Sequence, residues 1–193
     1  STFTISENVE NLYLKGSSDI DVTGNNAANV IRGNSGENNL EGRDGDDQLF
    51  GNAGNDTLDG GEGDDTLNGG SGNDAMSGGA GNDTYIVDSS SDTVTEGSGQ
   101  GTDTIFSSAS FTISNNVENL YLTGSSNINV TGNNDANVIR GNSGENTLDG
   151  RDGDDKLFGN GGNDTLNGEE GNDNLNGGAG DDAMSGGTGN DIY

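Results

Sequence analysis

The chain has 193 residues and carries 34 Asp+Glu against 6 Lys+Arg, a formal net charge of −28, with 37 Gly and only 25% hydrophobic residues. Such a charge balance argues against nucleic acid or an anionic membrane surface as partner and in favour of cations. The absence of Cys and His excludes disulfides, thiolate or imidazole metal sites, and every catalytic dyad or triad built on histidine.

Residues 1–23 begin STFTISENVE, without the basic stretch and apolar core of a signal peptide. Nowhere is an apolar run long enough to cross a bilayer as a helix, so no membrane insertion by this segment is expected. The block FTIS-x-NVENLYL-x-GSS-x-I-x-VTGNN-x-ANVIRGNSGEN starts at Phe3 and again at Phe111, and residues 1–85 align with 109–193 at most positions. This is a tandem duplication that opens and closes in mid-unit, which reads as an excerpt of a longer array. Residues 1–23 are expected to be a truncated, metal-free solenoid or capping segment.

Residues 24–86 repeat with a period of nine, the units starting at Gly24, Gly33, Gly42, Gly51, Gly60, Gly69 and Gly78. The clearest, residues 60–68, reads GGEGDDTLN. Position 4 is Gly after the first unit, position 6 is Asn in the first two units and Asp in the rest, and position 8 is apolar throughout: Ile31, Leu40, Leu49, Leu58, Leu67, Met76 and Tyr85. Glycine at so many positions opposes a helix and favours a tight turn, because it adopts positive φ and lets carbonyl oxygens approach one point. The triplet that follows, such as Thr66-Leu67-Asn68, is a minimal strand with its central side chain inward. One apolar side chain per nine residues returns less than the backbone entropy those residues lose, so folding needs a further stabilising term.

Residues 87–131 keep apolar beats at Ile105, Phe111, Ile113, Val117, Leu120, Leu122, Ile128 and Val130. Alternation in Leu120-Tyr121-Leu122 and Ile128-Asn129-Val130 predicts strands. The segment is read as connecting, metal-free solenoid turns with 89–103 as a looser loop; a flexible linker is the competing reading, although a linker would not need those beats. Residues 132–193 repeat the nine-residue pattern from Gly132, Gly141, Gly150, Gly159, Gly168, Gly177 and Gly186.

These units resemble the RTX, or haemolysin-type calcium-binding, nonapeptide G-G-x-G-x-D-x-U-x. The resemblance implies an all-β fold, a right-handed parallel β-roll or β-solenoid. It would hold two calcium-binding arrays joined by metal-free turns, two nonapeptides per turn, with several Ca2+ per array between stacked loops. Carried onto this sequence, the ligating carboxylates are the position-6 residues Asp47, Asp56, Asp65, Asp74, Asp83, Asp155, Asp164, Asp173, Asp182 and Asp191. Backbone oxygens would come from Gly45, Asp46, Gly54, Asn55, Gly63, Asp64, Gly72 and Asn73, and from Gly153, Asp154, Gly162, Asn163, Gly171, Asn172, Gly180 and Asp181. Carboxylates and carbonyls suit calcium, which accepts six to eight oxygens in loose geometry, better than magnesium. Asn29, Asn38, Asn137 and Asn146 depart from the family's Asp, and those first turns are expected to stack without calcium or to bind it weakly. Arg32, Arg140, Arg43 and Arg151 beside them either stand in for cations or are solvated.

The resemblance further implies a calcium-folded structural or adhesive module, secreted or displayed at a bacterial cell surface, with type I secretion as the route. Near-identity of the long copies points to a giant repetitive protein such as an adhesin, S-layer component or filament, with a second copy as end-to-end partner. The alternative is an RTX appendage of a secreted protease, lipase, epimerase or pore-forming toxin whose chemistry lies elsewhere. No catalysis is expected in this chain; the out-of-phase carboxylates Glu7, Glu10, Glu96 and Glu118, the one set able to form an acid/base pair, read as solvated or at turn edges.

Overall fold

The computed structural model describes residues 2–193 and is all-β. The chain divides into two compact units, Ser1–Asp103 and Thr104–Tyr193. Each is a β-solenoid with two parallel sheets whose strands alternate along the chain.

In the first unit one sheet runs through Thr2–Thr4, Asp21–Thr23, Asn39–Asp44, Thr57–Glu62, Ala75–Ala80 and Thr93–Thr95. The facing strands are Asn11–Tyr13, Val30–Arg32, Gln48–Ala53, Thr66–Ser71 and Thr84–Val87. In the second unit the sheets are Thr104–Ser107, Asn119–Leu122, Val138–Arg140, Lys156–Gly161 and Asn174–Ala179, and Phe111–Thr112, Val130–Thr131, Thr147–Asp149, Thr165–Glu170 and Ala183–Thr188. Among the described residues no helix is long and apolar enough to cross a membrane.

Register follows from the nine-residue phase. Two units make one turn, so each position-8 residue pairs with its equivalent two units on: Leu40 with Leu58, Leu58 with Met76, Leu49 with Leu67 and Leu67 with Tyr85. The second unit repeats this with Leu148, Leu166 and Met184, and with Ile139, Leu157 and Leu175. Neighbouring side chains point outward because strand residues alternate faces. The core is therefore two facing columns of single residues, and Ile31, Leu40, Leu49, Leu67, Leu148, Leu157 and Leu166 have no exposed surface at all. The columns end less well covered, Met184 being 40% exposed.

The segments that flank the arrays join the same columns. Phe3 pairs with Val22, Leu12 with Ile31, Ile105 with Leu120 and Phe111 with Val130. Of the apolar beats expected in 87–131, all are buried except Ile128, which is half-buried. Residues 89–103, expected to form a looser loop, contain the strand Thr93–Thr95, which continues the column from Met76 to Val94.

Candidate metal centre

The turns between strands are of two kinds. From the third unit of each array onward, positions 2 and 4 both have positive φ: Arg43 and Gly45, Asn52 and Gly54, Gly61 and Gly63, Gly70 and Gly72, and in the second array Arg151 and Gly153, Asn160 and Gly162, Glu169 and Gly171, Gly178 and Gly180. In the first two units of each array neither position is left-handed, although Gly36 and Gly144 occupy position 4. The paired left-handed residues bend the loop tightly enough for loops to stack at backbone contact. A Cβ on Gly63 would collide with the Gly45 carbonyl, which fixes glycine there.

In these left-handed turns the position-6 aspartates line up in columns, each one turn from the next. Asp65 Oδ1 accepts the Asp47 N–H at 2.7 Å and Asp83 Oδ1 accepts that of Asp65 at 2.8 Å. On the opposite side Asp74 Oδ1 accepts the Asp56 N–H at 2.8 Å. In the second unit Asp173 takes the N–H of Asp155 at 2.9 Å, Asp182 that of Asp164 at 2.9 Å and Asp191 that of Asp173 at 3.1 Å. Asp47, Asp56, Asp155 and Asp164 receive theirs from the asparagine turns. All of these except Asp182 and Asp191, which are half-buried, are at most 2% exposed.

One oxygen of each buried carboxylate is thus satisfied and the other is not. Oδ2 of Asp47, Asp56, Asp65, Asp74, Asp83, Asp155, Asp164 and Asp173 is buried with no hydrogen-bond partner. The space it faces is the one left by the position-1 glycine. A Cβ on Gly60 would strike both Asp65 Oδ2 and the carbonyl oxygen of Gly78, and Gly42, Gly51, Gly159 and Gly168 show the same pairing of an own-loop carboxylate with a next-turn carbonyl. Two converging oxygens with no hydrogen between them repel, and buried charge without a counter-charge is costly.

The electrostatics register this. Burial pushes the Asp65 and Asp155 carboxyls up to about 7, and Asp47, Asp74 and Asp83 up to about 6, from an ordinary 3.8; the accepted N–H opposes the rise and neighbouring carboxylates add to it. Asp56, Asp164 and Asp173 are raised by burial too.

The asparagine turns answer the same need differently. Asn38 Nδ2 donates to the Ile20 carbonyl at 3.0 Å and Asn146 Nδ2 to Ile128 at 2.7 Å. Asn29 and Asn137 donate to the carbonyls of Val9 and Val117. Position 2 of these units is also asparagine, unnoticed in the sequence. Asn25, Asn34, Asn133 and Asn142 donate to carbonyls of the preceding turn, and their own N–H groups reach the position-6 Oδ1 at 2.8–3.0 Å. The oxygen that faces the position-1 glycine therefore has a hydrogen-bond donor in the asparagine turns and none in the aspartate turns.

The position-4 and position-5 residues expected to give backbone oxygens lie in the same loops. Position 4 sets the bend, and its N–H bonds across to the next turn, as from Gly45 to the Glu62 carbonyl at 2.7 Å and from Gly171 to Thr188 at 2.9 Å. Position 5 forms an exposed outer ladder in which Asp46 Oδ1 accepts the Asp64 N–H, Asn55 Oδ1 that of Asn73, Asp154 Oδ1 that of Asn172 and Asn163 Oδ1 that of Asp181, at 2.8–3.0 Å.

Three further carboxylates extend the columns. Asp92 stands one turn beyond Asp74 and accepts its N–H at 3.0 Å, and its second oxygen is satisfied by the N–H groups of Asp88 and Ser89. Asp103 accepts the Asp83 N–H at 2.8 Å, and Glu96 hydrogen-bonds the Tyr85 hydroxyl. Glu96 is buried, whereas Glu7 and Glu10 are exposed and Glu118 is half-buried.

Arg43, Arg140 and Arg151 are exposed, as the solvated reading has them, and Arg32 is half-buried. Arg32 stacks its guanidinium 3.7 Å over the Phe50 ring and Arg140 lies 4.2 Å over Phe158, cation–π contacts on the outer strand face. Arg43 reaches Glu41 at 3.8 Å in the open.

A hard divalent cation fits these residues. It would supply positive charge between a buried carboxylate oxygen and a carbonyl oxygen that already converge, in an all-oxygen donor set that matches calcium's preference. A family model described as RTX calcium-binding nonapeptide repeat (4 copies) matches residues 23–58, 50–85, 59–94, 131–166 and 158–193. A comparison with curated proteins finds no match to the chain.

Proposed function

Because this chain belongs to the RTX calcium-binding nonapeptide-repeat family, we propose that it is a calcium-folded structural module of a secreted or cell-surface protein. The ions would be held by the position-6 aspartates from Asp47 to Asp83 and from Asp155 to Asp191, with glycine carbonyls of the adjoining turn. The supporting observation is the set of buried Oδ2 atoms that lack any partner. A fold that leaves them bare at neutral pH is missing a charge, and binding free energy then becomes folding free energy.

Such a chain is open in a calcium-poor cytosol and closes in calcium-rich surroundings, which suits export before folding. Stacked repeats of this kind suit an adhesive or filamentous surface protein. The reading as an appendage of a secreted enzyme or toxin assigns the same calcium chemistry to these residues and differs only in what they are attached to.

The test is far-UV circular dichroism of calcium-stripped protein at neutral pH, followed by calcium titration. Most of the β signal is expected to be absent without calcium and to return by millimolar levels, where extracellular modules bind. A spectrum indifferent to calcium would remove the proposal.

A further inference from the structure

Within the column Asp47, Asp65, Asp83, the last member differs from the others. At Gly42 and Gly60 the carboxylate converges with the carbonyl of the glycine one turn later. One turn after Gly78 the chain has Glu96, whose Oε1 accepts the Gly78 N–H at 3.3 Å and the Tyr85 hydroxyl hydrogen. Asp103 arrives 20 residues after Asp83, where the regular spacing is 18, and its Oδ1 still takes the Asp83 N–H. Carboxylate oxygens of Asp83, Glu96 and Asp103 lie within 4.8 Å of one another and all three residues are buried. Oδ2 of Asp83, 1% exposed, has no hydrogen-bond partner. No Lys or Arg occurs anywhere between Arg43 and Arg140.

We propose that Asp83, Glu96 and Asp103 form a distinct all-carboxylate site for a hard divalent cation, calcium above all, that closes the first array. The inference rests on the calcium reading of the columns and adds to it two ligands from outside the nonapeptides, in a segment expected to be metal-free. Ligand charge count tunes the affinity of oxygen sites. A site with three carboxylates in place of one carboxylate and carbonyls is the tightest in the chain and fills first. Its occupation ties residues 96–103 to the end of the array, so that the loop after Val94 becomes a structural closure.

The full chain provides its own reporter, because the Tyr85 ring ends against Glu96 and can transfer excitation to terbium, an oxygen-seeking calcium substitute. In wild type, tyrosine-sensitised terbium emission is expected with the first equivalent of ion and is displaced by calcium. Emission that rises only with later equivalents overturns the order of filling. Tyr85→Phe should abolish that early emission without weakening the first calorimetric calcium step; early emission that survives it overturns the location. Glu96→Gln and Asp103→Asn, which keep shape and hydrogen-bond acceptors, should each weaken the tightest calcium step about tenfold and cut the early emission in parallel. If both variants bind and emit as wild type while calcium still folds the chain, this site is wrong and the columns stand. If calcium neither binds nor folds wild type, both readings fall.

Discussion

The asparagine turns that open each array and the aspartate turns that follow carry an apolar core residue at the same phase, yet they differ in how the position-6 side chain is satisfied. Asn38 and Asn146 put a side-chain N–H against a carbonyl of the neighbouring turn. Both kinds of turn put a side-chain oxygen into the space the first glycine leaves, but that of Asn38 and Asn146 accepts the position-2 N–H, whereas Oδ2 of Asp65 and Asp155 accepts none. The first arrangement closes with atoms the chain already has, and the second stays electrostatically open until something positive enters. The exchange of amide for carboxylate comes together with left-handed backbone at positions 2 and 4, so side chain and loop conformation change in step.

The largest expected consequence is in the pH response of calcium-stripped protein. Asp47, Asp65, Asp74, Asp83 and Asp155 have folded-state values of about 6 to 7 against 3.8 when unfolded. A raised folded value means that the folded state binds protons more tightly, so its stability is fully present below about pH 4 and is lost as pH rises through 6 and 7. Asparagine turns have no such titration. Stripped protein should therefore show a strong β signal by circular dichroism at pH 4 that decays towards pH 8, and saturating calcium should restore it at pH 8. A stripped chain with a flat profile from pH 4 to pH 8 would mean that the aspartate turns do not differ from the asparagine turns in the way described.

A pair of substitutions sharpens the contrast at the level of single turns. Asn142 makes hydrogen bonds to the carbonyls of Thr123 and Ser126 and accepts the Gly144 N–H. Its replacement by alanine should cost about 1–3 kcal/mol, measured by urea unfolding in saturating calcium, from carbonyls left unsatisfied. The number of ions counted by calorimetry should stay the same. Asp65→Asn should instead reduce that number and move the midpoint of calcium-induced folding to higher calcium. Loss of an ion in Asn142→Ala would place a metal where an amide has been assigned.

How far these features could be read from sequence depends on whether they keep the phase. The core columns and the position-6 carboxylates repeat every nine residues, so Leu67 and Asp65 were visible as members of a series. Asp92 also keeps the phase, one turn from Asp74, but its unit lacks the position-1 glycine that marks the others. Asp103 is displaced by a two-residue insertion, and Glu96 stands at the phase of position 1 but in place of its glycine; only the folded chain brings both to Asp83. The cation–π stacks of Arg32 and Arg140 were hidden for a related reason, since their aromatic partners Phe50 and Phe158 lie a full turn away on the outward face. The left-handed conformation at position 2 was obscured by Arg43, Asn52, Arg151, Asn160 and Glu169, where the family has glycine.

That last group supplies the smallest test, between two residues of the aspartate turns that share a backbone conformation. Arg43 has φ 90° and an exposed side chain whose ion pair with Glu41 is worth at most about 1 kcal/mol. A left-handed non-glycine residue costs roughly 1–2 kcal/mol, so Arg43→Gly should raise the urea unfolding free energy in saturating calcium by about 0.5–1 kcal/mol. Asn52 has φ 76° but donates Nδ2 to the Gly33 carbonyl at 2.7 Å, an amide used as in the asparagine turns. Asparagine tolerates this conformation better than arginine, and the lost hydrogen bond is worth about 1 kcal/mol, so Asn52→Gly should be neutral or slightly destabilising. The duplication provides a replicate within the same molecule, because Arg151 and Asn160, with φ 76° and 74°, repeat the pair and Asn160 donates to Gly141 at 2.7 Å. Equal effects from the arginine and asparagine substitutions in both arrays would show that the side-chain amide contributes nothing at position 2, leaving backbone strain as the sole determinant there.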